Sequence, residues 1–300
     1  MKNNMKKWIS MAAALLAVGN LAAQDNVPEG FKVGSYEVYV LTENSGTGNT
    51  GILIDAPQAV LEEYAPDGTF PNAVNAVLIK GPGKTWLIDT GFGRNIFDRM
   101  AALGVTPEEV DVVLLTHMHG DHIGGMFRND EKTFPHAEVV VSQKEYDYWS
   151  SEAEMNKLPE NRRGSFLAAQ KVFSGYGGSL TKVEPSAIGD KLPEGITAVS
   201  AYGHTPGHVG FMVSDNGNRL LVWGDLAHAM AVQMPHPEIS VTYDVDPDVA
   251  RESRLEILRY IAVQTDSGDA IRVVGMHVPA VYPGVIHVEG NGYRFQVLQR

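Results

Sequence analysis

The 300-residue sequence contains no cysteine. That absence excludes disulfide scaffolds, thiolate metal sites, cysteine nucleophiles and lipid attachment at an N-terminal cysteine. Basic residues are also scarce, with 24 Lys and Arg against 36 Asp and Glu. Such a chain lacks the global field that draws in nucleic acid, which argues against a nucleic-acid partner. Long apolar runs are few. The one at the start, Trp8–Val18, has 11 residues, whereas a spanning helix needs about 20.

That short run follows Lys2, Lys6 and Lys7 and precedes Asn20, Leu21, Ala22 and Ala23. A basic segment, an apolar segment and small residues in that order predict a secretory signal peptide over 1–23, cut after Ala23. Losing three lysines and no acid takes the net charge from −12 to −15. The expected product is an exported protein, periplasmic or extracellular, with no stable membrane association. Residues 24–300 show no repeat, linker or low-complexity tract, which predicts one domain.

Within it, strand-like runs alternate with turns and helical segments. Phe31–Thr42 alternates as a strand. Asn75–Lys80 and Lys84–Asp89 read as a hairpin over Gly81-Pro82-Gly83. Asn95–Leu103 is helical and stops at Gly104. Asp111–Thr116 and Ala137–Ser142 are buried strands, and Lys144–Ala168 is a polar, partly helical stretch suited to covering a cleft. Further strands are expected at Ile196–Ala201, Val209–Val213, Arg219–Trp223 and Ile271–Gly275. A helix from about Asp248 to Gln264 presents Val249, Leu255, Ile257, Leu258 and Ile261 on one side. A last hairpin joins Ile286–Val288 to Tyr293–Leu298. The mixture predicts an α/β fold with sheets packed between helix layers.

The stretch with the most chemistry is Thr116-His117-Met118-His119-Gly120-Asp121-His122, directly after an apolar strand. Three of the chain's ten histidines and an aspartate fall in six positions. Their spacing does not follow one helical face. It suits a loop that turns off a strand end and wraps around cations. Neutral imidazole with carboxylate favours zinc and its first-row neighbours.

His-x-His-x-Asp-His after a hydrophobic strand resembles the metallo-β-lactamase superfamily. Leu87-Ile88-Asp89-Thr90-Gly91, Gly203-His204-Thr205-Pro206-Gly207-His208, Trp223-Gly224-Asp225 and Gly275-Met276-His277 are similar to the family's other motifs and stand in the same order. The resemblance implies a single-domain, four-layer αββα sandwich binding two divalent metal ions, Zn2+ above all, with Mn, Fe or Co as alternatives. It implies one ion on His117, His119 and His204, and the other on Asp121, His122 and His277. Asp225 would bridge them, and Asp121 and Asp225 are the carboxylates with a catalytic part. Asp89 is expected to accept the outer N–H of a ligand histidine. His208 is either a supporting or a purely structural residue, and His228 either reaches the cleft or lies at the surface. His136, His236 and His287 have no ligand context.

Two such ions would depress the pKa of a bridging water, since a single zinc already takes it from 15.7 to about 7. The hydroxide so formed would attack an ester-like bond whose oxyanion the ions also hold. Absence of cysteine speaks against the common dizinc β-lactamases. Softer similarities around 224–237 point to the methyl parathion hydrolase-like and lactonase-like branch. The implied substrate is a small ester, lactone or phosphotriester. The alternatives are a thioester, phosphodiester or β-lactam, or a metal-binding protein without catalysis. Phe92, Met126, Phe127, Met230 and Met276 flank the motifs and are candidates to line an apolar pocket, with ordinary core packing the competing reading for each.

Overall fold

Alternation along the strands decides which layer each residue joins. The computed structural model describes residues 27–298, so the signal-peptide expectation for 1–23 lies outside the described residues. One sheet holds β1 (Gly30–Val33), β2 (Tyr36–Asn49), β3 (Thr69–Gly81), β4 (Lys84–Ile88), β5 (Val112–Leu114), β8 (Glu138–Ser142) and β9 (Leu180–Val183), in that spatial order. Between β5 and β8 the chain forms a small ribbon of β6 (Phe127–Arg128) and β7 (Glu131–Lys132). The second sheet runs β10 (Gly195–Ser200), β11 (Val209–Asp215), β12 (Asn218–Val222), β13 (Arg272–Val274), β14 (Gly284–Glu289) and β15 (Gly292–Val297).

Because successive side chains point to opposite faces of a strand, Val77, Ile79, Ile88, Val112 and Leu114 of the first sheet meet Val209, Phe211, Val213, Leu220 and Val222 of the second. The intervening residues face outward. Ala76, Leu78, Leu87 and Val113 pack under helices Ile96–Ala102, Gln143–Ser150 and Gly164–Tyr176, which contribute Ile96, Met100, Trp149, Phe166 and Phe173. Met212, Leu221, Trp223 and Val273 pack under helix Pro247–Asp266 through Ile257, Leu258 and Ile261. The result is the expected αββα layering.

Three expectations need correction. The run Phe31–Thr42 is two strands, because Gly34 takes a φ of 59° and turns the chain between β1 and β2. Lys144–Ala168 is helical in pieces, as expected, but it is not simply polar: Trp149 and Phe166 are core residues. In helix Pro247–Asp266 the buried side is Ala250, Arg254, Ile257, Leu258, Ile261 and Ala262, while Val249 and Leu255 are each 37% exposed.

The site lies where strands end. β4, β5 and β8 are parallel, as are β12 and β13. Their C-terminal ends therefore deliver Asp89, Thr116–His122, Asp225 and His277 to one edge of the sandwich, as open parallel sheets characteristically do. Several links stitch the sheets there. Val209 N–H donates to Thr116 O at 3.0 Å. Buried Asn75 on β3 donates through Nδ2 to the carbonyls of Gly275 (3.1 Å) and Val278 (2.8 Å), on either side of His277.

Candidate metal centre

Beyond Leu114 the chain leaves β5, runs past Thr116 and enters the single helical turn Gly120–Ile123. Asp89 holds this loop from below. It sits just past β4 with a φ of 57°, a left-handed conformation that Asp tolerates better than most residues. Its carboxylate accepts from Thr116 N (2.8 Å), Thr116 Oγ1 (2.7 Å) and His122 Nδ1 (2.7 Å). With Nδ1 so engaged, His122 presents Nε2 to the centre. The same logic orients the other rings. His204 Nδ1 faces Asp244 Oδ1 at 2.9 Å, and His277 Nδ1 faces the carbonyl of Ala73 at 2.8 Å. His117 Nδ1 lies 3.0 Å from Thr116 Oγ1.

The inward atoms form two sets. His117 Nε2, His119 Nδ1 and His204 Nε2 converge, with His119 Nδ1 3.1 Å from the first and 3.0 Å from the second. Asp121, His122 and His277 make the other set. Asp121 Oδ2 is 3.7 Å from His122 Nε2 and 3.5 Å from His277 Nε2. Asp225 stands between them. Its Oδ2 is 3.7 Å from His117 Nε2, 3.3 Å from His204 Nε2 and 3.1 Å from His277 Nε2, and its Oδ1 is 3.3 Å from His122 Nε2. All seven residues that the motifs singled out are thus brought together.

The chemistry of this donor set fits a metal. Ligands held at about 2.0 Å around a tetrahedral ion stand about 3.3 Å from one another, close to the spacing of the ring nitrogens. His122 Nε2 and Asp225 Oδ1 are buried with no hydrogen-bond partner, which in a folded interior needs an explanation. Charge points the same way. Burial, reinforced by neighbouring rings, pushes His117 and His119 well below the usual imidazole range, so their lone pairs stay open. Burial opposes a charged His122, yet Asp225, Asp121 and Asp89 hold it well above that range. Burial likewise opposes charge on His204, but Asp225 and Asp244 raise it to about 9. The carboxylates call for positive charge at the centre, which a cation supplies without occupying the nitrogens with protons.

His208 lies outside both sets. Its Nδ1 faces the Ala201 carbonyl at 2.7 Å and its Nε2 accepts from Asp225 N–H at 3.0 Å. Burial lowers it to about 3, so it is a neutral ring that positions the backbone of Asp225. His228 is buried rather than at the surface. Its Nε2 is 3.1 Å from Asp225 Oδ2, and its ring stacks on His277 at 4.7 Å. Asp244 was not foreseen. Nothing in the sequence separates it from the chain's many other acids; only the fold puts it behind His204. Of the pocket candidates, Met126 and Met276 are fully buried, and Phe127 and Met230 pack against the cores. Phe92 is 43% exposed, on backbone that abuts Gly124. His136 is exposed, and His236 and His287 lie 3.0 Å from Glu238 and 3.9 Å from Asp266.

Comparison with known proteins gives a consistent picture. Residues 69–266 match the model of the metallo-beta-lactamase superfamily. Metallo-beta-lactamase domain-containing protein 1 of Xenopus laevis is 28% identical over 207 residues, covering 67% of this chain and 73% of that protein. N-acyl homoserine lactonase AttM of Agrobacterium fabrum (strain C58) is 28% identical over 144 residues, 44% of this chain and 47% of that protein. The matches thus span about half to three quarters of these curated relatives. Among solved structures, hydrolase AbOPH of the beta-lactamase superfamily superposes with a TM-score of 0.81 at 25% identity, over 92% of this chain and 99% of that one. The dizinc quorum-quenching lactonase AidC gives 0.77 at 23% identity, over 91% and 98%, a likeness of fold. With the family's model spanning most of the chain, and the histidines and aspartates of its motifs converging at one sandwich edge, the protein belongs to the metallo-β-lactamase superfamily.

Proposed function

We propose that the protein is an exported, dinuclear metal-dependent hydrolase of a small ester, lactone or phosphotriester. The observation that carries this is the position of Asp225, within 3.7 Å of ring nitrogens from both ligand sets. His117, His119 and His204 would hold one ion and Asp121, His122 and His277 the other, with Asp225 shared. Zinc is the metal the donors suit best. When bound, the ions supply a nucleophile at neutral pH and polarise the scissile carbonyl or phosphoryl oxygen.

The chain's own contribution is orientation and apolar surface beside the centre. Asp89, Asp244 and the Ala73 carbonyl fix three of the rings through their outer nitrogens, so the inner nitrogens cannot rotate away. Phe92 and Tyr243, 43% and 53% exposed, offer apolar surface for the organic part of a substrate. Tyr243 lies with its ring 5.8 Å from that of His228. Such a surface favours an uncharged ester or lactone over a polyanion. The names of AttM and AidC as lactonases support the same substrate class.

Parallel turnover of lactone, aryl ester, phosphotriester, thioester, β-lactam and phosphodiester probes by the zinc-loaded protein tests the proposal. Turnover of at least one of the first three is expected. Asp121→Ala and His277→Ala should each lower both metal content and rate. A fully metallated protein that leaves the first three untouched while cleaving a phosphodiester, thioester or β-lactam would move the substrate. One that cleaves nothing would remove the catalytic reading. Export is checked separately, by N-terminal sequencing for cleavage after Ala23.

A further inference from the structure

Glu145 is fully buried in the first turn of helix Gln143–Ser150, outside every motif read from the sequence. Its carboxylate accepts four hydrogen bonds. Oε1 takes Met118 N–H at 2.9 Å and Trp149 Nε1–H at 2.6 Å. Oε2 takes Thr205 Oγ1–H at 2.7 Å and Gly207 N–H at 3.0 Å. A carboxylate offers about four lone-pair sites, and here each faces a donor. Adding a proton would displace one of them. Burial pushes the Glu145 carboxyl up, and its hydrogen bonds pull it back down.

The identity of the donors matters more than their number. Met118 stands between His117 and His119, and Thr205 follows His204. One oxygen therefore grips the first ligand segment and the other grips the second, although the two are separated by more than eighty residues of chain. The surroundings make the grip rigid. Ser142 Oγ donates to the Gly207 carbonyl at 2.6 Å and accepts from Glu145 N–H at 3.1 Å. A Cβ on Gly207 would lie 2.0 Å from Glu145 N, so only glycine lets that loop come this close. Trp149, which anchors Oε1, also sets its ring 5.8 Å from that of His119. Asp121, His122 and His277 receive none of this support. Asp89 and the Ala73 carbonyl steady His122 and His277 from elsewhere.

We propose that Glu145 is a positioning residue for one half of the centre: it fixes the 117–119 segment to the 204–207 loop, so the metal affinity of His117, His119 and His204 depends on it while that of Asp121, His122 and His277 does not. This rests on the two-ion reading given above. Loss of an outer-shell carboxylate costs about 10- to 100-fold in metal affinity, and a loss confined to one set separates positioning from general destabilisation.

The test uses Co2+ as probe on metal-stripped full-length protein, following binding by visible absorption well below the melting midpoint. The wild type should take two equivalents. In Glu145→Gln one equivalent should bind about 10- to 100-fold more weakly and the other as before. Thr205→Val removes one of the four donors at nearly constant volume and should give a smaller loss of the same kind, which keeps the test open should Glu145→Gln fail to fold. Double variants assign the site. Glu145→Gln on a His277→Ala background should weaken the one remaining ion, and on a His204→Ala background should leave it unchanged. Unaltered binding of both ions by folded variants, or equal weakening of both, overturns the positioning role. A wild type that binds fewer than two equivalents overturns the two-ion reading itself, a different result.

Discussion

At the scale of single residues, the centre is organised by acids that face the backs of histidines. Asp89 behind His122 could be read from the sequence because it ends a strand within a recognisable motif. Asp244 behind His204 could not, since a carboxylate forty residues downstream acquires its role only when the 240–246 segment folds against the 203–204 loop. Backbone bonds from Val245 N–H to His204 O (2.9 Å) and from Asp246 N–H to Gly203 O (3.0 Å) bring it there. Asp244 Oδ1 accepts from His204 Nδ1, and its Oδ2 accepts from Val241 N–H at 3.1 Å. Asp244→Asn keeps the shape but replaces a charged acceptor. It should lower the affinity of the first ligand set about 10- to 100-fold, read as Zn2+ retained on dialysis against a graded chelator. Zinc retention equal to wild type would show that His204 needs no such partner.

At the scale of the element, helix Pro247–Asp266 shows where periodicity misleads. Reading apolar residues alone puts Val249 and Leu255 on the buried side. The structure rotates that side towards Ala250 and Arg254, because the arginine behaves as a core residue. Its guanidinium is buried, has no carboxylate ion pair among the described residues, and donates to the carbonyls of Pro237 (2.8 Å), Leu226 (3.2 Å) and Ile239 (2.9 Å). Burial lowers its pKa to about 10, which leaves it charged at neutral pH. Those carbonyls belong to the segment after Asp225; Gln233 Nε2 also donates to that of Ile239 at 2.8 Å, so the arginine chiefly serves Pro237 and Leu226. Hydrophobic counting cannot detect a residue whose buried task is hydrogen bonding. Arg254→Met fills most of the volume but strands the carbonyls of Pro237 and Leu226. At about 1–3 kcal/mol for each unsatisfied group, urea unfolding should show a loss of roughly 2 kcal/mol or more, accompanied by weaker metal binding because Leu226 adjoins Asp225. A loss well under 1 kcal/mol would mean that the segment finds other donors.

At the scale of the whole molecule, the sequence places each candidate ligand at the end of a strand-like run but does not say which strand ends meet. That follows from sheet order. β4 and β5 are neighbours in one sheet, β12 and β13 in the other, and the inter-sheet core sets the two parallel groups edge to edge. Resemblance to a family supplied the missing information in advance; pairing and packing supply it physically. On the proposed two-ion reading, each bound ion would join the two sheets. His117 and His119 come from the first and His204 from the second; Asp121 and His122 come from the first and His277 from the second, with Asp225 between. Ions that bind only the assembled site stabilise the folded state by about 2.7 kcal/mol each when present at a hundred times their dissociation constant. For a domain of this size, 1 kcal/mol moves the melting point by about 2–4 °C. Chelation should therefore lower Tm by about 5–10 °C per ion removed, and re-addition of Zn2+ should restore it. His277→Ala, with one set disabled, should show a smaller drop on chelation. Should scanning calorimetry find the same Tm with and without chelator in a protein that carried two equivalents of metal, the ions would not be bridging the sheets, and the sandwich would hold its edge closed through protein links such as Thr116–Val209, Asn75 and the Glu145–Ser142 grip on the 205–207 loop.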